Sequence, residues 1–160
     1  MDVDGFARGA GPAIRDMIAA LGGDLQVFDR DPLTAVPLLD DFVLRSPWAQ
    51  FEEDDWVWLH TQLTAFVAEV LVRVYGGVWK ARTDPGAPLG WVPVIEVLGA
   101  DGLPRQVPVM AVVYEELHPV PQRIPRLIER AVGLAGHGPR PQSGLTSSIR
   151  TVSSSWRPEW

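Results

Sequence analysis

Between Trp56 and Tyr75 apolar residues recur at steps of three and four: Trp56, Leu59, Leu63, Phe66, Val70 and Val74, with Val67 and Leu71 widening the row. That spacing fits 3.6 residues per turn and predicts one long amphipathic helix whose apolar stripe must be buried. The acidic run Glu52, Glu53, Asp54, Asp55 stands just before it, where free amides and the helix dipole favour carboxylates, so Asp54 or Asp55 is the expected cap. Gly76-Gly77 ends the pattern, since glycine accepts the left-handed conformation that closes a helix. Val78 to Thr83 then reads as a strand, and so short a link means that helix and sheet share one core.

The remaining pattern places further elements around this pair. Ile14, Met17, Ile18 and Leu21 predict a short helix from Pro12 to Leu21, with residues 1 to 10 loosely ordered before it. Asp24 to Asp31 reads as a connector, Leu38, Leu39, Phe42 and Val43 mark a second helix ending at Arg45, and Ser46-Pro47 opens another turn. After the first strand, Asp84-Pro85-Gly86 fits a turn, Trp91 to Leu98 a second strand, and Asp101-Gly102 a two-residue hairpin. Arg105 to Leu117 follows as a third strand because Val107, Val109, Ala111 and Val113 alternate with Met110, Val112 and Tyr114. Pro93 and Pro108 cannot donate to a ladder and belong at an edge, a strand start or a bulge. Ile124, Leu127, Ile128, Ala131 and Leu134 define a last helix ending near Gly136.

This predicts a single α+β domain over residues 1–136: N-terminal helices and a central helix packed on a three-stranded antiparallel sheet, with a C-terminal helix. Residues 137–160, rich in Gly, Pro and Ser and without periodicity, read as a flexible tail. The length of 160 residues suits one core, and 46% apolar with 21% charged residues is ordinary globular composition. No apolar run approaches the ~20 residues of a membrane-spanning helix. The N-terminus carries acids where a signal peptide needs bases, so a cytoplasmic location is expected.

Charge narrows the partners. The net charge is −6; residues 1–60 hold twelve acids and four arginines, whereas residues 61–160 hold eight acids and ten bases. An acidic N-terminal half repels nucleic acid and suits a basic protein partner. The absence of cysteine removes disulfides, thiolate catalysis and cysteine metal sites. Thirteen arginines beside the one lysine, Lys80, match the bias of a high-GC bacterial genome.

No motif carries a reaction. His60, His118 and His137 share no ligand spacing, and the acidic run at 52–55 points its carboxylates in different directions, so neither metal nor cofactor is expected. Glu69 and Arg73 are four apart and read as a helix ion pair. Glu69 is also the expected structural anchor for the indole N–H of Trp79 on the returning strand. With seven tryptophans, most serve the core, but Trp58 lies off the main stripe beside Glu52, Glu53, Asp54 and Asp55, and Trp156 and Trp160 stand in the tail. These seven residues are the candidate protein-binding set, because aromatics anchor interfaces.

The run Phe66-Val67-Ala68-Glu69-Val70 followed by Gly76-Gly77-Val78-Trp79 resembles uncharacterised actinobacterial domain families, domains of unknown function in which a central helix ends in Gly-Gly-x-Trp and leads into a β-hairpin. The likeness spans residues 35–135, with Ala68 where that pattern has glycine. It implies the helix-to-hairpin architecture and a non-secreted setting, and brings no site residues. The functional expectation is a non-catalytic interaction domain. Two alternatives stand beside it: a small hydrolase or transferase using Glu69 with His60 or Arg73, and a subunit of a larger assembly, homo-oligomers included, with an apolar second sheet face.

Overall fold

The computed structural model describes residues 2–118 and 121–138, and its architecture is α+β: six α-helices around a three-stranded antiparallel sheet. Helix α4 (Glu53–Tyr75) is the axis of the fold. It buries Leu59, Leu63, Phe66, Val67, Val70 and Leu71. By length and composition α4 could cross a membrane, contrary to expectation, yet half of its most apolar stretch is buried by neighbouring elements.

Helix α1 (Val3–Ala20) starts nine residues before Pro12 and runs through it. Asp2 caps it by accepting from Gly5 N at 3.0 Å. Phe6 fixes the early turns to the sheet, its ring meeting Trp91 edge-on at 6.0 Å and Trp79 at 6.3 Å. Residues 3–10 are therefore helical rather than loosely ordered. The expected connector also holds a helix, α2 (Leu25–Arg30): Asp24 accepts from Gln26 N and Val27 N, and Phe28 is buried. A 3-10 turn at Pro32–Ala35 leads into α3 (Val36–Arg45), which buries Leu39 and Val43. A second such turn, Trp48–Gln50, follows Ser46-Pro47.

Helix α4 ends as its glycines require. Gly76 has φ +72°, and Gly77 N donates to Leu71 O at 2.9 Å. A Cβ on Gly77 would lie 2.5 Å from Ile95 Cγ2, so glycine there lets the chain pass close under β2. The sheet is a meander of β1 (Val78–Thr83), β2 (Trp91–Leu98) and β3 (Pro104–Val107), pairing Trp79 with Ile95 and Ile95 with Val107. Ile95, Val97 and Val107 join the core. Pro93 pairs with Ala81 of β1 beyond the end of β3, so its missing N–H falls on an open edge.

The third strand is shorter than the alternation predicts. It stops at Val107, and Val109–Leu117 is helix α5. Pro108 cannot extend the ladder, but its carbonyl accepts from Val112 N at 3.0 Å and begins a helix. Val109, Val112, Val113 and Leu117 are the buried residues, a 3.6-residue stripe inside a valine-rich run. Both faces of the segment are apolar because it packs as a helix.

Helix α6 (Ile124–Leu134) closes the fold, and its first turn is completed from outside. The Asp40 carboxylate on α3 accepts from Ile124 N at 2.9 Å and from Arg123 Nε and Nη2 at 2.9–3.1 Å. At the far end Gly136 O accepts from Ala100 N, and His137 Nε2 donates to Leu98 O at 2.8 Å. His137, the expected first residue of the tail, is thus held against the sheet. The rest of that tail, from residue 139, lies outside the described residues.

Candidate functional site

The first half of α4 borders two apolar clefts. One, of about 520 Å3, lies between α1, α4 and the sheet; Phe6, Ala10, Thr64, Ala65, Trp79 and Trp91 line it. The other, of about 530 Å3, runs between α4 and α5, lined by Trp56, Val57, His60, Tyr114, Leu117 and His118. His60 borders both. Its Nε2 lies 2.8 Å from Met110 O, and since a carbonyl only accepts, that nitrogen carries the proton. Tyr114 meets the His60 ring edge-on at 6.4 Å.

The acidic run forms the entrance to α4. Glu52 is the N-cap residue, and its backbone N–H donates to Asp55 Oδ2 at 2.9 Å, so Asp55 reaches back as one half of a capping box. Glu52, Glu53, Asp54 and Asp55 are all exposed. Among the described residues no group of three or more His, Asp or Glu side chains could hold a metal ion. Behind the run, Trp48 stacks on Trp56 at 5.0 Å, Phe51 closes on both, and the Trp48 indole donates to Val43 O at 3.1 Å.

Trp58 is 46% exposed and leans edge-on against Phe42 of α3 at 6.1 Å. Two residues along a helix is about 200°, so Trp58 stands on the opposite flank of α4 from His60 and the α5 cleft. The acidic turn lies between the two aromatic flanks. Trp156 and Trp160 fall outside the described residues.

Glu69 and His60 do not meet. Nine residues separate them by about 13 Å and half a turn of helix. Glu69 lies instead beneath α1, where a Cβ on Gly11 would come within 3.3 Å of its Oε1. Burial pushes its carboxyl pKa up, against the pull of Arg73 and Arg15 and with the help of the Asp29 charge. The expected hydrogen bond from Trp79 is not made: Trp79 faces Phe6, and the near cation is Arg73, whose Nη1 is 3.9 Å from Glu69 Oε2. Arg73 also donates to Phe28 O at 3.2 Å and to Asp29 O, and its guanidinium lies over the Phe28 ring. Glu69, Arg73 and Arg15 belong to the α1–α2–α4 joint.

Side chains of a strand alternate, so the sheet face opposite Trp79, Ile95 and Val107 includes Lys80, Arg82, Glu96 and Gln106. The polar Gln106–Glu96 contact crosses it at 3.4 Å. Val78, Val92, Val94 and Leu98 share that face, which therefore mixes charged and apolar positions.

Phe6, Trp91, Met110 and Tyr114 border the clefts and were not among the sequence candidates. The i, i+4, i+8 spacing of Phe6, Ala10 and Ile14 was the signal for Phe6, and the i, i+4 pair Met110 and Tyr114 beside the 109/112/113/117 stripe was the signal on α5; no local pattern marks Trp91. No family model, curated protein or solved structure matches the chain. Within the chain, then, the site is defined by its geometry: an exposed acidic helix entrance between two aromatic flanks, with an apolar cleft on either side of His60.

Proposed function

We propose that the protein is a non-catalytic, cytoplasmic interaction domain that holds a basic protein partner on the entrance of α4. The observation that carries this reading is the juxtaposition of four exposed carboxylates, Glu52 to Asp55, with exposed Trp58 on one flank and the Trp56–Val57–Tyr114 cleft on the other. Carboxylates left in water steer and select a cationic partner, while aromatic side chains beside them supply the apolar anchor. Val57 and Tyr114 are 58% and 59% exposed, which adds anchoring surface.

The acid–base alternative has less support: Glu69 and His60 lie on opposite sides of α4, and the Glu69–Arg73 pair sits in a helix joint where Arg73 is engaged by the Phe28 and Asp29 carbonyls. The test is affinity capture from lysate of the native host with full-length protein, Trp58→Ala, and Glu53→Gln/Asp54→Asn, which spares the Asp55 cap. A defined basic protein retained by the wild type, weakened by both variants and released by raised salt supports the reading. Equal capture by wild type and variants refutes it.

A further inference from the structure

The groove between α4 and α5 is open to water, and the chain itself carries a segment that matches it. Trp56, Val57, His60, Tyr114 and Leu117 form its walls, and Val57 and Tyr114 each leave more than half of their surface in water. Glu53 stands one turn before Val57 on the same side of α4 and puts a carboxylate at the mouth. The groove between α1 and the sheet has only one acid on its lining, Asp2, which is already the cap of α1. Residues 139–160, outside the described residues, contain Trp156 and Trp160 and carry Arg140, Arg150 and Arg157 against one acid, Glu159. Their net charge of +2 leaves residues 1–138 at −8 in a chain of −6. An aromatic, cationic segment is thus tethered to an aromatic groove with an acidic mouth.

The tether is long enough. The His137 ring lies 4.7 Å from Tyr75 at the C-terminal end of α4, and Val57 is 18 residues, about 27 Å, back along that helix. Trp156 is likewise 18 residues beyond Gly138, a length of chain that extends to about 59 Å. Because both sides belong to one molecule, the effective concentration is on the order of 1 mM, and a contact with an intrinsic Kd of about 0.1 mM is closed in about nine molecules of ten. We propose that the segment Trp156–Trp160 occupies the α4–α5 groove of its own chain, with an indole against Val57 and Tyr114 and with Arg157 beside Glu53. Its consequence rests on the interaction reading above: the tail covers part of the partner site until a partner displaces it.

The chain has no cysteine, so Ser153→Cys takes a single nitroxide spin label three residues before Trp156. The readout is the loss of amide signals in the 15N-labelled full chain against the same sample with the label reduced, with no partner present. The signals of Val57, His60 and Tyr114 are lost, and those of α2, beside the other end of α4, are retained. Three variants each restore the lost signals, in whole or in part: Trp156→Ala/Trp160→Ala, Arg150→Gln/Arg157→Gln, and Val57→Arg at its exposed position. Four results overturn the proposal: no loss at the groove, loss spread over the whole surface, loss unchanged in any of the three variants, or loss that arises only between spin-labelled and 15N-labelled copies in a mixed sample. The capture experiment reads the partner and this one reads the tail. A partner captured without loss at the groove overturns the tail contact alone, and loss at the groove with no partner captured overturns the interaction reading alone.

Discussion

Replacing Gly77 by alanine places a methyl group 2.5 Å from Ile95 Cγ2, 2.9 Å from the Leu71 carbonyl oxygen and 3.1 Å from Val97 Cγ2. The first and third neighbours are buried sheet residues and the second is the backbone atom that accepts the Gly77 N–H bond, so none is the free end of a flexible side chain. Relief requires α4 and β2 to separate by several tenths of an ångström, and such overpacking costs about 1–3 kcal/mol. For a chain of this size each kcal/mol lowers Tm by about 2–4 °C, giving a fall of about 4–8 °C for a 2 kcal/mol loss. Gly76→Ala is the control: its Cβ meets nothing, and its φ of +72° costs about 1–2 kcal/mol through conformation alone. Urea unfolding followed by tryptophan fluorescence measures both. The steric cause has its own signature in the Gly77→Ala/Ile95→Ala double variant. Removing Cγ2 relieves part of the clash, so the combined loss falls short of the sum of the single losses by about 0.5–2 kcal/mol. Strict additivity, or a Gly77→Ala variant within 0.5 kcal/mol of wild type, refutes the close-approach argument.

Asp40→Asn removes a carboxylate that caps α6 and pairs with Arg123, at an expected cost of about 1–2 kcal/mol at neutral pH. Burial works to raise the Asp40 pKa, but the hydrogen bonds from Arg123 and Ile124 and the guanidinium charge outweigh it and hold it below the usual range. With the folded value depressed, the stabilisation is complete above the unfolded carboxylate pKa of about 3.9 and is lost as pH falls through the folded value. Denaturation at pH 7 and at pH 3 should show the variant's penalty shrinking in acid; an equal penalty at both contradicts the assignment. Glu69 has the opposite sign. Its folded pKa is raised, so the destabilisation is absent below the unfolded value of about 4.3 and complete above the folded one. Glu69→Gln is expected to raise Tm at pH 7 and leave it unchanged at low pH, and a lower Tm at pH 7 counts against it. Thr64→Val relieves a buried unpartnered hydroxyl and should stabilise the protein by about 1 kcal/mol in urea unfolding, a loss being the contrary result.

The elements around α4 were legible because their signals act locally. The 3.6-residue stripe from Leu59 to Val74, the paired glycines at 76 and 77, and the first two strands each follow from neighbouring residues. Two segments were misread for opposite reasons. Val107 to Val113 satisfies the strand alternation and the helical stripe together, and Pro108, which ends a ladder but can precede a helix, decided between them. In α1 the glycines and Pro12 hid a helix that is held by Phe6 against Trp79 and Trp91, residues more than 70 positions away. The candidate site was legible only in part. The exposure of Trp58 and of the acidic run follows from their distance from the stripe. The clefts arise where α1 and α5 lie beside α4, a juxtaposition set by tertiary packing. The direction in which Glu69 points was likewise set by α1 and α2, not by its spacing from Trp79.

The remote cap on α6 has a consequence for how the chain is made. The carboxylate that accepts from Ile124 N lies 84 residues upstream, and the opposite end of the same helix is tied to the β2–β3 hairpin. A ribosome releases α3, α4 and the sheet well before it releases Arg123, so Asp40 emerges long before its partners do. Until they arrive it is solvated, and the surface that α6 will cover on α3 and α5 stays open to chaperones or to neighbouring chains. Docking of α6 therefore comes after α3, α4 and the sheet in vectorial folding. A nascent chain stalled before Gly136 clears the exit tunnel is the species most exposed to misassembly.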